Sequence, residues 1–94
     1  MSDIVSQGSL VVSIAGRDKG KLFLVVDCKD KFVYLADGKL RKVTALKKKN
    51  IKHIKLVTSA NLKEFADRIK MGKPVGNEKL FKAIKTQIEK IQED

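Results

Sequence analysis

Tryptophan is absent from this chain, and cysteine, histidine, proline and tyrosine occur once each. Each scarcity closes off a class of function. A single cysteine, Cys28, excludes an internal disulfide framework and any zinc site built on several cysteines, and it fits a reducing, cytoplasmic setting. Cys28 also continues the period-two series Leu22, Leu24, Val26, which predicts a small buried hydrophobe rather than a reactive thiol. His53 has no second candidate ligand near it in sequence, so an RNA contact or a structural hydrogen bond suits it better than a metal. Neither residue lies in a nucleophile or metal motif, and no glycine-rich segment matches a phosphate-loop or dinucleotide fingerprint. The chain is therefore expected to be no enzyme and to hold no cofactor and no metal. No window approaches the roughly 18 consecutive apolar residues of a membrane span. Residues 1–8 are polar and acidic, unlike a secretory signal.

Positive charge is what the chain has in excess. It carries 21 Lys and Arg against 11 Asp and Glu, a net charge of +10 over 94 residues. Residues 1–36 hold five basic and four acidic side chains, residues 64–94 seven and six, and residues 37–63 nine and one. Nearly all the excess thus sits in one central stretch, which suits a polyanionic partner. An anionic membrane is disfavoured, because the central lysines lie on expected strands and a loop rather than on an amphipathic helix.

Hydrophobic periodicity divides the chain near Thr58. Before it the pattern is that of strands. Residues 10–14 are rich in branched side chains. Residues 21–28 form a near-continuous apolar run that predicts burial on both faces. Residues 31–36 make a third strand. Asp37-Gly38 is then a hairpin signal that predicts a two-residue turn into a fourth strand over residues 40–44. In that strand Lys42 and Thr44 would share one face, and Arg41 and Val43 the other. Residues 47–50 read as a solvated loop, and residues 53–57 as a fifth strand. Five short strands in roughly fifty residues suit a small closed barrel of the SH3-like kind.

After Thr58 the period becomes helical. Asn61 with Glu64 forms a capping box, and Leu62, Phe65, Ala66 and Ile69 follow at helical spacing until Gly72 and Pro74. Leu80, Phe81, Ile84, Ile88 and Ile91 form a second stripe. Phe65, Ile69, Phe81, Ile84 and Ile88 are expected to be mostly buried within a monomer. The fold expected is mainly β with C-terminal helices: a five-stranded barrel over residues 1–58 and a two-helix extension over residues 59–94 packed on it.

Two segments carry candidate chemistry. The turn from Gly16 to Gly20 can be an ordinary hairpin loop with soluble charges. It can equally be an RNA-contact loop in which glycines let the backbone approach phosphate and Arg17, Lys19 and Lys21 supply charge. The second segment contains Arg41, Lys42, Lys47, Lys48, Lys49, Asn50, Lys52, His53 and Lys55. A lysine run is ordinarily a solvated face. Here it is interleaved with strand formers and anchored at both ends, which favours phosphate binding. These residues together are expected to form one continuous basic surface.

Residues 9–26, with alternating hydrophobics around the G-R-D-K-G turn of residues 16–20, resemble a KOW motif. The D-G-K-L-R-K segment of residues 37–42 and the K-K-K-N-I-K-H segment of residues 47–53 narrow the likeness. The chain resembles bacterial KOW-domain RNA-binding proteins related to archaeal and eukaryotic large-subunit ribosomal proteins of the fourteen/six/twenty-seven group. The likeness covers residues 8–58. It implies an SH3-like barrel and binding to RNA, ribosomal or otherwise structured, in a ribosome-associated or assembly role. The alternative is a protein-interaction module of the transcription or translation machinery, since KOW domains also touch proteins and the C-terminal stripe can serve as a docking helix.

Overall fold

The computed structural model describes residues 5–59 and 62–92. The elements in chain order are β1 (Leu10–Ser13), β2 (Leu22–Lys29), β3 (Phe32–Ala36), β4 (Lys47–Asn50), a 3-10 turn (Ile51–His53), β5 (Ile54–Thr58), α1 (Lys63–Lys70) and α2 (Asn77–Gln92). The five strands form one antiparallel sheet in the order β4-β3-β2-β1-β5. Edge strands β4 and β5 are joined only by the short 3-10 turn, so the sheet must curl to bring its edges together. The result is a small, barrel-like five-stranded sheet followed by two helices. Among the described residues no helix is long and apolar enough to cross a membrane.

The sheet is apolar on both faces, for different reasons. Val11, Phe23, Val25, Val33, Leu35 and Ile54 fill the inside of the barrel. Leu10, Leu24, Val26 and Ala36 point outward and are covered by Leu62, Ala66, Leu80 and Ile84 from the helical segment. The run Phe23–Val26 is therefore buried throughout, as a strand between two apolar layers must be. Helix α1 ends in a Schellman motif: Gly72 adopts φ +76°, its N–H donates to Ile69, and the N–H of Lys73 donates to Arg68. The expected cap residue, Asn61, lies outside the described residues.

Several local expectations are corrected. A register shift between Val25 and Asp27 inserts an extra residue into β2. Cys28 is thereby moved off the face of Leu22, Leu24 and Val26 and packs, half-buried, against the inner core. Burial and the Asp27 charge raise the pKa of its thiol despite Lys70 nearby. Residues 40–46 are turns and bends rather than a strand. Asp37 and Gly38 make no two-residue hairpin. The Asp37 carboxylate accepts from the N–H groups of Lys39 (2.9 Å) and Arg41 (2.7 Å) and curls the chain on itself. Asn77, at the start of α2, accepts from the N–H of Val43 at 2.8 Å. Gly38 is needed for φ +83° and because any Cβ there would run into the Asn77 carbonyl. The fourth strand is instead the lysine tract itself.

The helical stripe is buried in part. Leu80 and Ile84 are buried, Phe65, Ile69 and Ile88 pack half-buried against the outer core, and Phe81 is exposed. Helix α2 meets the sheet along the line of Leu80 and Ile84. Phe81 lies about 100° around the helix from Leu80 and faces a groove.

Candidate nucleic-acid interface

In β4 the two faces of the strand place like side chains in unlike settings. Lys47 and Lys49 lie opposite Leu35 and Val33, on the inner face. Lys48 and Asn50 lie opposite Tyr34 and Phe32, on the outer face.

On the inner face the lysines meet the loop between β1 and β2. Lys49 Nζ donates to Asp18 Oδ1 at 2.6 Å and to the carbonyl of Ala15 at 2.8 Å. Lys47 Nζ stands 3.9 Å from Asp18 Oδ2. Ser13 Oγ lies 2.8 Å from Asp18 Oδ1 and 2.9 Å from the Ala15 carbonyl, one proton shared between two acceptors. The turn that presents Asp18 depends on Gly16 and Gly20, at φ +82° and +88°. Burial works to raise the pKa of the Asp18 carboxyl. The hydrogen bonds from Lys49 and Ser13 and the charges of Lys49 and Lys47 outweigh it and hold the group below its ordinary value. The clasp thus fixes the first loop over the mouth of the barrel. Lys49, only 9% exposed, is occupied by it and offers no charge to a partner.

On the outer face, Lys48 Nζ sits 4.3 Å from the ring centroid of Phe32, a cation–π distance. Lys29 lies opposite Phe32 on the other side. Phe32 and Tyr34 are half-buried and belong to neither core. This end of the sheet therefore carries two aromatic rings, Phe32 between Lys48 and Lys29, and Tyr34 between Lys48 and Asp27. The reading from sequence missed the pair. The signal was present, because Phe32 and Tyr34 alternate with the inward Val33 and Leu35.

The other expected residues fall into five places. Arg17 and Lys19 are exposed on the clasped loop. Lys52 and His53 are exposed on the 3-10 turn, which Asn50 caps by accepting from the N–H of Lys52, and the His53 carbonyl accepts from Ile14 just before the loop. Lys55 is exposed on β5. Lys42, exposed, and Arg41, half-buried, ride on the 37–46 loop fastened to α2. Lys21 is exposed at the start of β2, on the rim of a groove it shares with Lys39. Arg17, Lys19, Lys48, Lys52 and His53 thus lie on the first loop, β4 and the 3-10 turn, whereas Lys55 is on β5, Lys21 is on the groove rim, and Arg41 and Lys42 ride on the loop fastened to α2. Among the described residues, no cluster of His, Cys, Asp and Glu is suited to a metal ion. No protein-family model matches the chain, and no curated protein matches it.

Proposed function

We propose that this chain is a non-enzymatic RNA-binding module of the KOW type that holds ribosomal or other structured RNA on the surface made by the first loop, the outer face of β4 and the 3-10 turn. The clasp of Asp18 by Lys49 carries the reading. It spends one lysine to fix the loop bearing Arg17 and Lys19 beside the strand bearing Lys48. A fixed array of cations recovers more phosphate affinity than a floppy one, because less side-chain and loop entropy is lost on binding. Phe32 and Tyr34 give the same surface a place for unpaired bases to stack. Lysines there act as point charges on phosphates, while Arg17, Asn50 and His53 suit contacts to RNA shape or base edges. The protein works in the cytoplasm as a monomer attached to, or assembling, the ribosome.

Ultraviolet crosslinking of the tagged protein in cells, followed by sequencing of the attached RNA, tests this. Recovery of ribosomal or other structured RNA, with crosslinked peptides covering Phe32 or Tyr34, is expected. Recovery no greater than from untagged cells would remove the proposal.

A further inference from the structure

A second surface lies between α2 and the barrel. It is a groove of about 490 Å³. Its floor is Leu22, Leu40, Phe81, Ile84 and Ile88. Leu40 is 59% exposed and Phe81 38% exposed, and neither is needed to fill a core. Ile91, 46% exposed, extends the stripe of Ile84 and Ile88 one turn further along α2. Large apolar side chains held open in this way, side by side, mark an interaction site.

The rim decides what kind. Lys21, Lys39 and Lys85 border the groove, and none of them is in an ion pair among the described residues. Among the described residues the only acidic one lining it is Asp37, which is buried and already accepts two backbone N–H groups. The groove is therefore an apolar floor inside a cationic rim. A second copy of this chain is a poor occupant, since it would bring a net charge of +10 to that rim. Nucleic acid suits it less well than protein. Four of the five floor residues are aliphatic, and Lys39 Nζ stands 5.3 Å from the centroid of the Phe81 ring, where a base would have to stack.

We infer that this groove docks an acidic amphipathic helix of another protein, its aliphatic and aromatic side chains seated on Leu40, Phe81 and Ile88 and its carboxylates on Lys21, Lys39 and Lys85. The inference stands apart from RNA binding, which uses the other side of the first loop. Together the two surfaces make an adaptor that ties an RNA to a protein partner.

The test uses the full isotope-labelled chain and three probes. The first is a synthetic helical peptide of about 15 residues with Leu and Phe at i, i+3, i+4 and i+7 and Glu on the opposite face. The second is its neutral twin with Gln for Glu, and the third a single-stranded RNA oligonucleotide. The acidic peptide is expected to shift the amide resonances of Leu22, Leu40, Phe81, Ile84 and Ile88 as one set, and to bind about tenfold more tightly than its twin. Leu40→Asp should weaken it by about tenfold while leaving the other resonances in place, because the Leu40 side chain lies outside both cores. Lys39→Glu provides a second variant on an exposed position. The inference is overturned if the peptide shifts no groove resonance, or if its shifts fall on the β4 surface alone. It is also overturned if the RNA shifts the groove set as strongly, or if that set moves with protein concentration in the absence of any probe.

Discussion

Within the four residues of β4, lysines on the two faces of the strand meet different surroundings. Lys49 reaches inward, loses most of its exposure and receives Asp18, Ala15 and the edge of the inner core in exchange for water. Lys48 reaches outward, stays exposed and leans on the ring of Phe32. The difference teaches what a charge does at each depth. A buried lysine with a matched carboxylate becomes a structural tie, whose loss leaves the partner charge stranded. An exposed lysine on an aromatic ring contributes little to folding and keeps its charge for a ligand. Adjacent, chemically identical residues should therefore fail in opposite ways when removed.

The largest effect is expected from Lys49→Met. It removes the one close cation from the Asp18 carboxylate, leaving the Ser13 hydroxyl at 2.8 Å and Lys47 at 3.9 Å, and should cost about 3 kcal/mol of stability in urea unfolding. Lys48→Ala should cost no more than about 0.5–1 kcal/mol in the same assay. Equal costs would erase the contrast between the faces.

Acid should switch off the inner tie alone. The folded-state pKa of Asp18 is depressed, so its contribution to stability is complete above the unfolded carboxylate pKa and disappears as pH falls through the folded value. Unfolding midpoints of wild type and Asp18→Asn should differ at neutral pH, hold that difference down to the ordinary carboxylate range, and converge below it. A difference that grew as the pH fell would contradict the assigned sign.

On the outer face, Tyr34→Ala should weaken binding to an RNA with unpaired bases by about 1–3 kcal/mol and leave the salt slope unchanged, since stacking releases no counterions. Lys48→Ala should do the reverse in kind. Its slope of log affinity against log salt should flatten by roughly 0.7–0.9, the share of one phosphate contact. Fluorescence titration at several salt concentrations separates the two.

Much of the fold was legible because its signals were periodic. The near-continuous run over residues 22–28 and the helical spacing of Leu80, Ile84 and Ile88 each point to one kind of element. The fourth strand was not legible. Residues 47–50 have no apolar alternation, and they pair with β3 because Asp18, thirty-one positions away from Lys49, neutralises the more deeply buried of the two lysines that turn inward. No local pattern carries that information. Asp37-Gly38 misled for a related reason: the glycine answers to close approach by Asn77, again a distant residue. The same limit applies to the candidate interface. Composition located the basic stretch, but it could not separate the lysine held by Asp18 from its neighbour above Phe32. Changing Lys47, Lys48 and Lys49 together would mix a stability loss with a binding loss and should be avoided as a probe of either.

The central claim is that exposed cations around the clasped loop hold RNA phosphates while Lys49 does not. It is tested most directly by titrating ribosomal RNA, with a scrambled control, into wild type, an Arg17→Ala/Lys48→Ala/Lys52→Ala variant and Lys49→Met, each over a range of salt concentrations. The triple variant should bind more weakly and flatten the salt slope by roughly 2–3, while folded Lys49→Met should keep the wild-type slope. Absence of binding by wild type at low salt, or an unchanged slope in the triple variant, would contradict the account.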